Sequence, residues 1–264
     1  MSRIFLLSVA FMAKSVITLA QPDTLQGKDE DVIVTANKLE QKQNTTGKVV
    51  AVITKEQIEK SAGKTVAQIL NEQAGIVVPG AYNTLGSVQT VLMRGASTGR
   101  TLILIDGIPV SDPSYIDGGY DLNFFSLNNV DRIEISKGAQ STLYGSDAIS
   151  GVINIITNKK NISKKINVNG LLSAGNLNTF KGNLGISGRV DKLNYSVSYD
   201  KIKTNGFSSA YDSSKKKDFD KDGYDGNDLS AMLQYSINNY FSVKTFTRYS
   251  QYKADVDASG FVDD

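Results

Sequence analysis

Phe180-Lys181-Gly182-Asn183-Leu184-Gly185-Ile186-Ser187-Gly188-Arg189-Val190 alternates apolar or glycine positions with polar ones, and its neighbours keep the same beat. Ile166, Val168, Gly170, Leu172 and Ala174 alternate with Lys165, Asn167 and Asn169. Leu193, Tyr195, Val197 and Tyr199 alternate with Asn194, Ser196, Ser198 and Asp200, and Leu229 to Ile237 and Phe241 to Tyr249 continue the pattern. Successive side chains of a strand point to opposite faces, so each segment has one apolar and one polar face. At about ten residues apiece, these segments match tilted strands that cross a bilayer, with lipid outside and water or a plug inside. A soluble antiparallel sheet with one packed face gives the same alternation. Connection lengths favour the membrane. The links at Asp191-Lys192 and Asn238-Asn239 are tight, whereas Thr204 to Asn227 is long and polar, the asymmetry of outer-membrane barrels.

Upstream, from Val49 to about Asn158, the periodicity is mixed and predicts a small α+β domain. Val49 to Ile53 reads as a strand, and Thr54 as an N-cap with Gln57 placed to complete a capping box. The short helix ends at Gly63. A second helix spans Thr65 to Gln73, stopped by Ala74-Gly75 ahead of Ile76-Val77-Val78. Val88 to Met93, Thr101 to Ile105, Val130 to Ile135 and Val152 to Ile156 read as strands, the second closed by the turn signal Asp106-Gly107.

The N-terminus sets the compartment. Met1 to Ala20 carries an early Arg3, the apolar run Ile4 to Ala13 and the small-residue ending Thr18-Leu19-Ala20, the layout of a secretory leader. A run of roughly ten apolar residues is too short to span a bilayer, which needs about twenty. Gln21 to Glu30 is polar and aperiodic, a tether in which no packing signal is present. Asp31-Val32-Ile33-Val34-Thr35-Ala36 then alternates β-branched residues with nothing nearby in the sequence to cover them. Such a strand suits β-augmentation by another protein's sheet edge; it equally suits the first strand of the domain that follows.

Composition narrows the chemistry. The 264-residue chain contains no cysteine, histidine or tryptophan. That removes thiolate sites, histidine-ligated zinc, c-type haem and a Ser-His-Asp triad. Gly95-Ala96-Ser97-Thr98-Gly99 fits a nucleophile-elbow pattern without the histidine base it needs, and Ser61-Ala62-Gly63-Lys64 fits S-x-x-K without companion motifs. The net charge of +2 is spread among mixed signs, so no basic stripe points to nucleic acid. Asp218-Phe219-Asp220-Lys221-Asp222-Gly223-Tyr224-Asp225-Gly226-Asn227-Asp228 places carboxylates at alternate positions around a glycine, as a calcium loop does. Its twelfth position is Leu229 instead of a bidentate Glu, and helices flank neither side, so it departs from the EF-hand. A solvated acidic loop balanced by Lys215 to Lys217 is the alternative.

Four phrases carry a family resemblance: Met93-Arg94-Gly95; Leu104-Ile105-Asp106-Gly107-Ile108-Pro109; Val130-Asp131-Arg132-Ile133-Glu134-Ile135; and Gly145-Ser146-Asp147-Ala148-Ile149-Ser150-Gly151-Val152-Ile153-Asn154-Ile155-Ile156-Thr157. From about Asp31 onward the chain resembles the TonB-dependent receptors of the Gram-negative outer membrane, nearest in wording to their cobalamin-receptor branch. The resemblance implies an α+β plug domain at 48–158 followed, over 159–264, by the first five or so strands of an antiparallel transmembrane β-barrel, incomplete against the family's twenty-two. Residues 1–20 would be the leader and 21–47 a periplasmic tether. Asp31, Val32, Ile33, Val34, Thr35 and Ala36 would be the TonB box. Such a piece is expected not to transport alone.

The resemblance further implies TonB, outer-membrane lipid and a small-molecule substrate as partners, the substrate being cobalamin, a related corrinoid or an iron chelate. Substrate would meet plug apices at Tyr82, Asn83, Leu85 and Ser87 and at Ser111 and Tyr115. Structural calcium would sit on Asp220, Asp222 and Asp257. The family's earlier Gly-Tyr-Asp is here Gly206-Phe207-Ser208, which leaves Asp212 as a replacement ligand. A soluble calcium-binding plug piece is the competing class.

Overall fold

A computed structural model describes residues 33–35, 41–43, 46–61, 63–127, 130–157, 164–211, 219–238, 240–255 and 257. The expected leader, the tether to Glu30, Asp31, Val32, Ala36, Asp212 and Lys215 to Lys217 lie outside the described residues.

The α+β domain that the resemblance reads as a plug is built on a five-stranded sheet in the order β3-β8-β9-β6-β7, formed by β3 (Val50–Ile53), β6 (Thr101–Ile105), β7 (Ile108–Val110), β8 (Arg132–Lys137) and β9 (Gly151–Ile156). β6 and β9 pair in parallel; the other pairs are antiparallel. Every residue of β6 and β9 is buried, as expected of central strands covered on both faces. On one face Ile103, Ile105, Ile133, Ile135, Ile153 and Ile155 pack with Ile58 of α1 (Lys55–Lys60) and Ile69 and Leu70 of α2 (Val66–Asn71). On the other, Leu102, Leu104 and Val152 meet Ala148 and Tyr144, the latter at the end of α3 (Ser141–Tyr144).

Both longer helices begin in a full capping box. Thr54 and Gln57 form the first and Thr65 and Gln68 the second, each threonine oxygen accepting the N3 amide while the glutamine reaches back. Asp106 and Gly107 both have positive φ, 50° and 82°, which supplies the tight β6–β7 turn. Two short pairs complete the region: β4 (Ile76–Val77) with β5 (Leu92–Met93), and β1 (Ile33–Val34) with β2 (Gln41–Lys42). The strand expected over Val88 to Met93 shrinks to its last two residues, because Gln89 turns away. Its amide donates to Asp121 Oδ1 at 3.2 Å and its carbonyl accepts the amide of Leu122, at the start of a 3-10 turn.

From Asn167 the chain forms an antiparallel meander, β10 (Asn167–Gly175), β11 (Thr179–Val190), β12 (Leu193–Thr204), β13 (Tyr224–Ser236) and β14 (Ser242–Ala254), in sequential order. Its burial is the reverse of a soluble sheet. Leu172, Leu184, Val197, Leu229, Leu233 and Val243 are exposed, whereas Asn183, Ser187, Ser198, Asp200 and Ser230 are buried. The apolar face looks outward and the polar face is covered, the arrangement of a membrane barrel wall. β13 begins earlier than the acidic loop reading allows: Tyr224 pairs with Thr204, and Asp225, Asn227 and Asp228 are strand residues. Cross-strand contacts of Lys201 with Asp225 and Asn227 hold that register and end the loop at Gly223.

The plug domain sits against the inner face. Lys244 Nζ of β14 meets Asp106 Oδ2 at 2.8 Å, Ser126 Oγ donates to Asp200 Oδ1 at 2.8 Å, and Phe246 packs on the plug core. The Arg248 guanidinium lies 4.1 Å from the Phe125 ring centroid while its Nε donates to Asp228 at 2.7 Å.

Candidate functional site

At the wall end that carries the loop 205–223, plug loops and strand tips meet. Gly86 has φ of 95° and abuts Ala254 and the Tyr224 ring, so closely that a Cβ there would collide with Ala254. Only a glycine lets the loop Tyr82 to Val88 approach β14 in this way. Asp121, 1% exposed, ties this loop to the next. Its Oδ1 accepts the Gln89 amide and the Asn123 Nδ2, which also donates to Ser87 O at 2.7 Å; its Oδ2 accepts the Tyr252 hydroxyl at 3.3 Å. Tyr252 stands between Phe124 and Tyr224, with ring centroids 5.3 and 5.5 Å away. Neither this knot nor the aromatic stack was among the expected site residues; an aspartate directly before the 3-10 turn, an N-cap position, is the one local signal for it.

Of the expected contact residues, Tyr82, Asn83 and Ser111 are exposed, and Leu85, Ser87 and Tyr115 are half-buried. In the second loop Ser114 donates both its amide and its hydroxyl to Asp112 Oδ1, at 2.9 and 2.6 Å. Those hydrogen bonds hold the Asp112 carboxyl below its usual range. Burial, then the charges of Asp121, Asp112 and Asp117, push the Tyr115 phenol up.

Beside these loops Asp220, Asp222 and Asp257 bring one carboxylate oxygen each to within 4.8 Å of one another. Oxygens around one calcium ion, each at 2.3–2.6 Å, lie at most about 5 Å apart, so the separation fits a shared ion of that size. Asp222 is 2% exposed and its Oδ2 accepts the Ser209 amide at 2.6 Å. Asp257 Oδ2 accepts from Ser208 Oγ at 3.4 Å, Ser209 Oγ at 3.0 Å and the Ala210 amide at 2.5 Å. Gly206, with φ of 61°, lies directly on the Asp222 carbonyl and so lets 205–210 fold over the trio. Ser208, where the resemblance expects one earlier carboxylate, instead donates its hydroxyl to Asp257 Oδ2.

The segment expected to be uncovered is covered in its described part. Val34 is completely buried, and its strand finds Gln41–Lys42 within the same chain. Thr35 donates from N and from Oγ1 to Glu134 Oε2, both at 2.7 Å, and its carbonyl accepts the Tyr144 hydroxyl at 3.4 Å. The partners lie some hundred residues away in sequence, beyond any local signal.

The match that decides the family covers residues 42–152, which fit the model of the TonB-dependent Receptor Plug Domain. Residues 42–152 are a TonB-dependent receptor plug domain. Relatives extend the likeness beyond it. A Vitamin B12 transporter BtuB of Vibrio cholerae is 38% identical over 128 residues, 48% of this chain and 20% of the relative. One of Vibrio vulnificus is 30% identical over 230 residues, 87% of this chain and 36% of the relative. The chain thus spans about a fifth to a third of the curated relatives it matches. Among solved structures, the siderophore receptor PirA of Acinetobacter baumannii has a TM-score of 0.60 at 23% identity, covering 78% of this chain and 32% of its own. The pyoverdine outer membrane receptor FpvA of Pseudomonas aeruginosa has a TM-score of 0.66 at 16% identity, over 84% and 30%. These likenesses show the plug-and-wall fold. The likeness to TonB-dependent receptors therefore runs from the plug domain into the wall strands.

The nucleophile-like patterns are turns of that plug. Ser97 is exposed in the turn after Met93, where Arg94, Gly95 and Gly99 have positive φ. Ser61 caps α1, and Lys64 is engaged by Glu72 at 2.5 Å.

Proposed function

We propose that this chain is the plug and first wall strands of a receptor that takes up cobalamin or a related corrinoid across the outer membrane, driven by TonB. The observation that carries the proposal is the joint one: a plug domain of this family seated on a wall that is apolar outward and polar inward, with sequence relatives bearing the name of vitamin B12 transporters. The plug-apex loops at Tyr82 to Ser87 and Ser111 to Tyr115 would contact substrate. Asp220, Asp222 and Asp257 would hold calcium, a hard cation that carboxylate oxygens suit, and so order the loop 205–223 for binding. Asp31 to Ala36 would be the strand that TonB takes up by main-chain pairing. No covalent step is needed, since the work is done by differential binding and by the pull on the strand.

Binding of labelled cyanocobalamin to outer membranes carrying the protein tests this reading. Saturable binding is expected, competed by unlabelled cobalamin but not by ferric siderophores, and reduced at least tenfold by Asp220→Ala combined with Asp222→Ala. Competition by a ferric siderophore would replace cobalamin with an iron chelate. Unaltered binding in the double variant would refute the calcium role.

A further inference from the structure

Glu134 is 2% exposed, and its two oxygens face different duties. Oε1 is paired with Arg132, at 2.9 Å from Nε and 2.7 Å from Nη2. Oε2 takes both donors of Thr35. Asn154 lies opposite Glu134 in the β8–β9 register and uses both ends of its amide. Its Nδ2 donates to Thr35 Oγ1 at 3.0 Å, and its Oδ1 accepts the Gly107 amide at 3.0 Å. The adjoining Asp106 carboxylate accepts Thr157 N at 2.8 Å, Thr157 Oγ1 at 2.5 Å and, from the barrel wall, Lys244 Nζ at 2.8 Å. A continuous polar chain therefore runs from Thr35 through Asn154 and the Asp106–Gly107 turn to β14.

We propose that Glu134 and Asn154 form a latch that keeps the segment Ile33–Thr35 folded into the plug, and that Lys244 sets the latch by fixing the Asp106–Gly107 turn against the wall. Buried carboxylates bind their donors strongly because water cannot replace them, so Thr35 leaves only if Glu134 and Asn154 are re-satisfied. When the turn shifts from Lys244, the Asn154 amide loses the partner that orients it. Its grip on the Thr35 hydroxyl then weakens. Movement of the plug relative to its wall is thereby reported at the N-terminal strand, a coupling between two places that one polar network joins. Glu134, Asn154, Asp106 and Lys244 are positioning residues. Their meaning for transport rests on the reading of this strand as the TonB handle.

The chain has no cysteine, so Val34→Cys places one thiol in the full chain, reconstituted in lipid and exposed to a water-soluble maleimide. Slow labelling is expected, with Thr35→Val and Glu134→Ala each raising the rate at least tenfold and Lys244→Ala raising it about threefold or more. Thr35→Ser and Lys244→Arg, which keep the hydroxyl and the charge, should restore protection. Combining Lys244→Ala with Thr35→Val should add nothing to Thr35→Val alone. An unchanged rate in Lys244→Ala, or full additivity of the pair, overturns the proposal. So does a rise that is matched at Ile153→Cys, a plug-core thiol that should stay protected in every variant. Binding of purified TonB C-terminal domain to the opened variants is scored separately: its absence refutes the TonB-handle reading and leaves the latch standing.

Discussion

The plug sheet and the wall sheet use the same extended backbone with opposite burial. In the plug, Ile103, Ile153 and Ile155 are inside, and the helices α1 and α2 cover them. In the wall, Asn183, Ser198 and Asp200 are inside while Leu184, Val197 and Leu233 are outside. The plug carries its own apolar core and needs water around it; the wall has none and needs lipid on one side and the plug on the other. Several of its buried polar groups are matched within the wall itself. Asn183 Nδ2 donates to Asp200 Oδ1 at 2.9 Å, and the hydroxyls of Ser198 and Ser230 meet at 2.8 Å.

Substitutions on the two sheets should break along this line. In the plug, Ile153→Ala removes a fully buried side chain and should cost about 2–5 kcal/mol, read as a lowered denaturation midpoint of the plug in detergent and in lipid alike. On the wall, Leu184→Arg should cost about 2–4 kcal/mol near the bilayer midplane, read by folding titration into vesicles, with little penalty where water replaces lipid. A soluble sheet would tolerate the same exposed arginine freely. Calcium sharpens the comparison at the rim: at a hundredfold excess over its Kd it should stabilise the protein by about 2.7 kcal/mol, measured as a thermal shift that Asp222→Asn abolishes. Loss of the Thr65 capping box through Thr65→Ala should cost about 1 kcal/mol, confined to the plug.

The smallest effect concerns pH. Asp112 is held by Ser114, and its folded pKa lies below the ordinary value of about 3.9. A depressed carboxylate contributes stability that is present above the ordinary value and lost as pH falls through the folded one. An NMR titration should therefore place the Asp112 midpoint below 3.9, and Ser114→Ala should move it upward. No upward movement would show that the hydroxyl is not the cause.

The wall was legible because period-two alternation is local: residues 180–190 state their two faces without reference to anything else. The capping residues Thr54 and Gln57 were legible for the same reason, being three positions apart. Three features were not. Val34 read as uncovered because Gln41–Lys42 pairs with its strand, and Glu134 engages the adjoining Thr35, only after folding. Val88 to Val91 read as strand because the competing partner of Gln89, Asp121, lies thirty-two residues on. The acidic run read as one loop to Asn227 because carboxylates signal loops locally, whereas cross-strand pairing with Lys201 claims Asp225 and Asn227 for β13. Asp220, Asp222 and Asp257 were named from the family resemblance, and the fold brings them together.

The central claim is that β10–β14 turn their apolar face to lipid and their polar face to the plug. Spin labels placed one at a time from Gly182 to Val190 in the lipid-reconstituted chain test it through alternating access to oxygen and to a water-soluble nickel chelate. Labels at Leu184 and Ile186 should be oxygen-accessible and chelate-protected, and labels at Asn183 and Ser187 should be shielded from both. Equal chelate access at Leu184 and Asn183 would place that face in water and contradict the account.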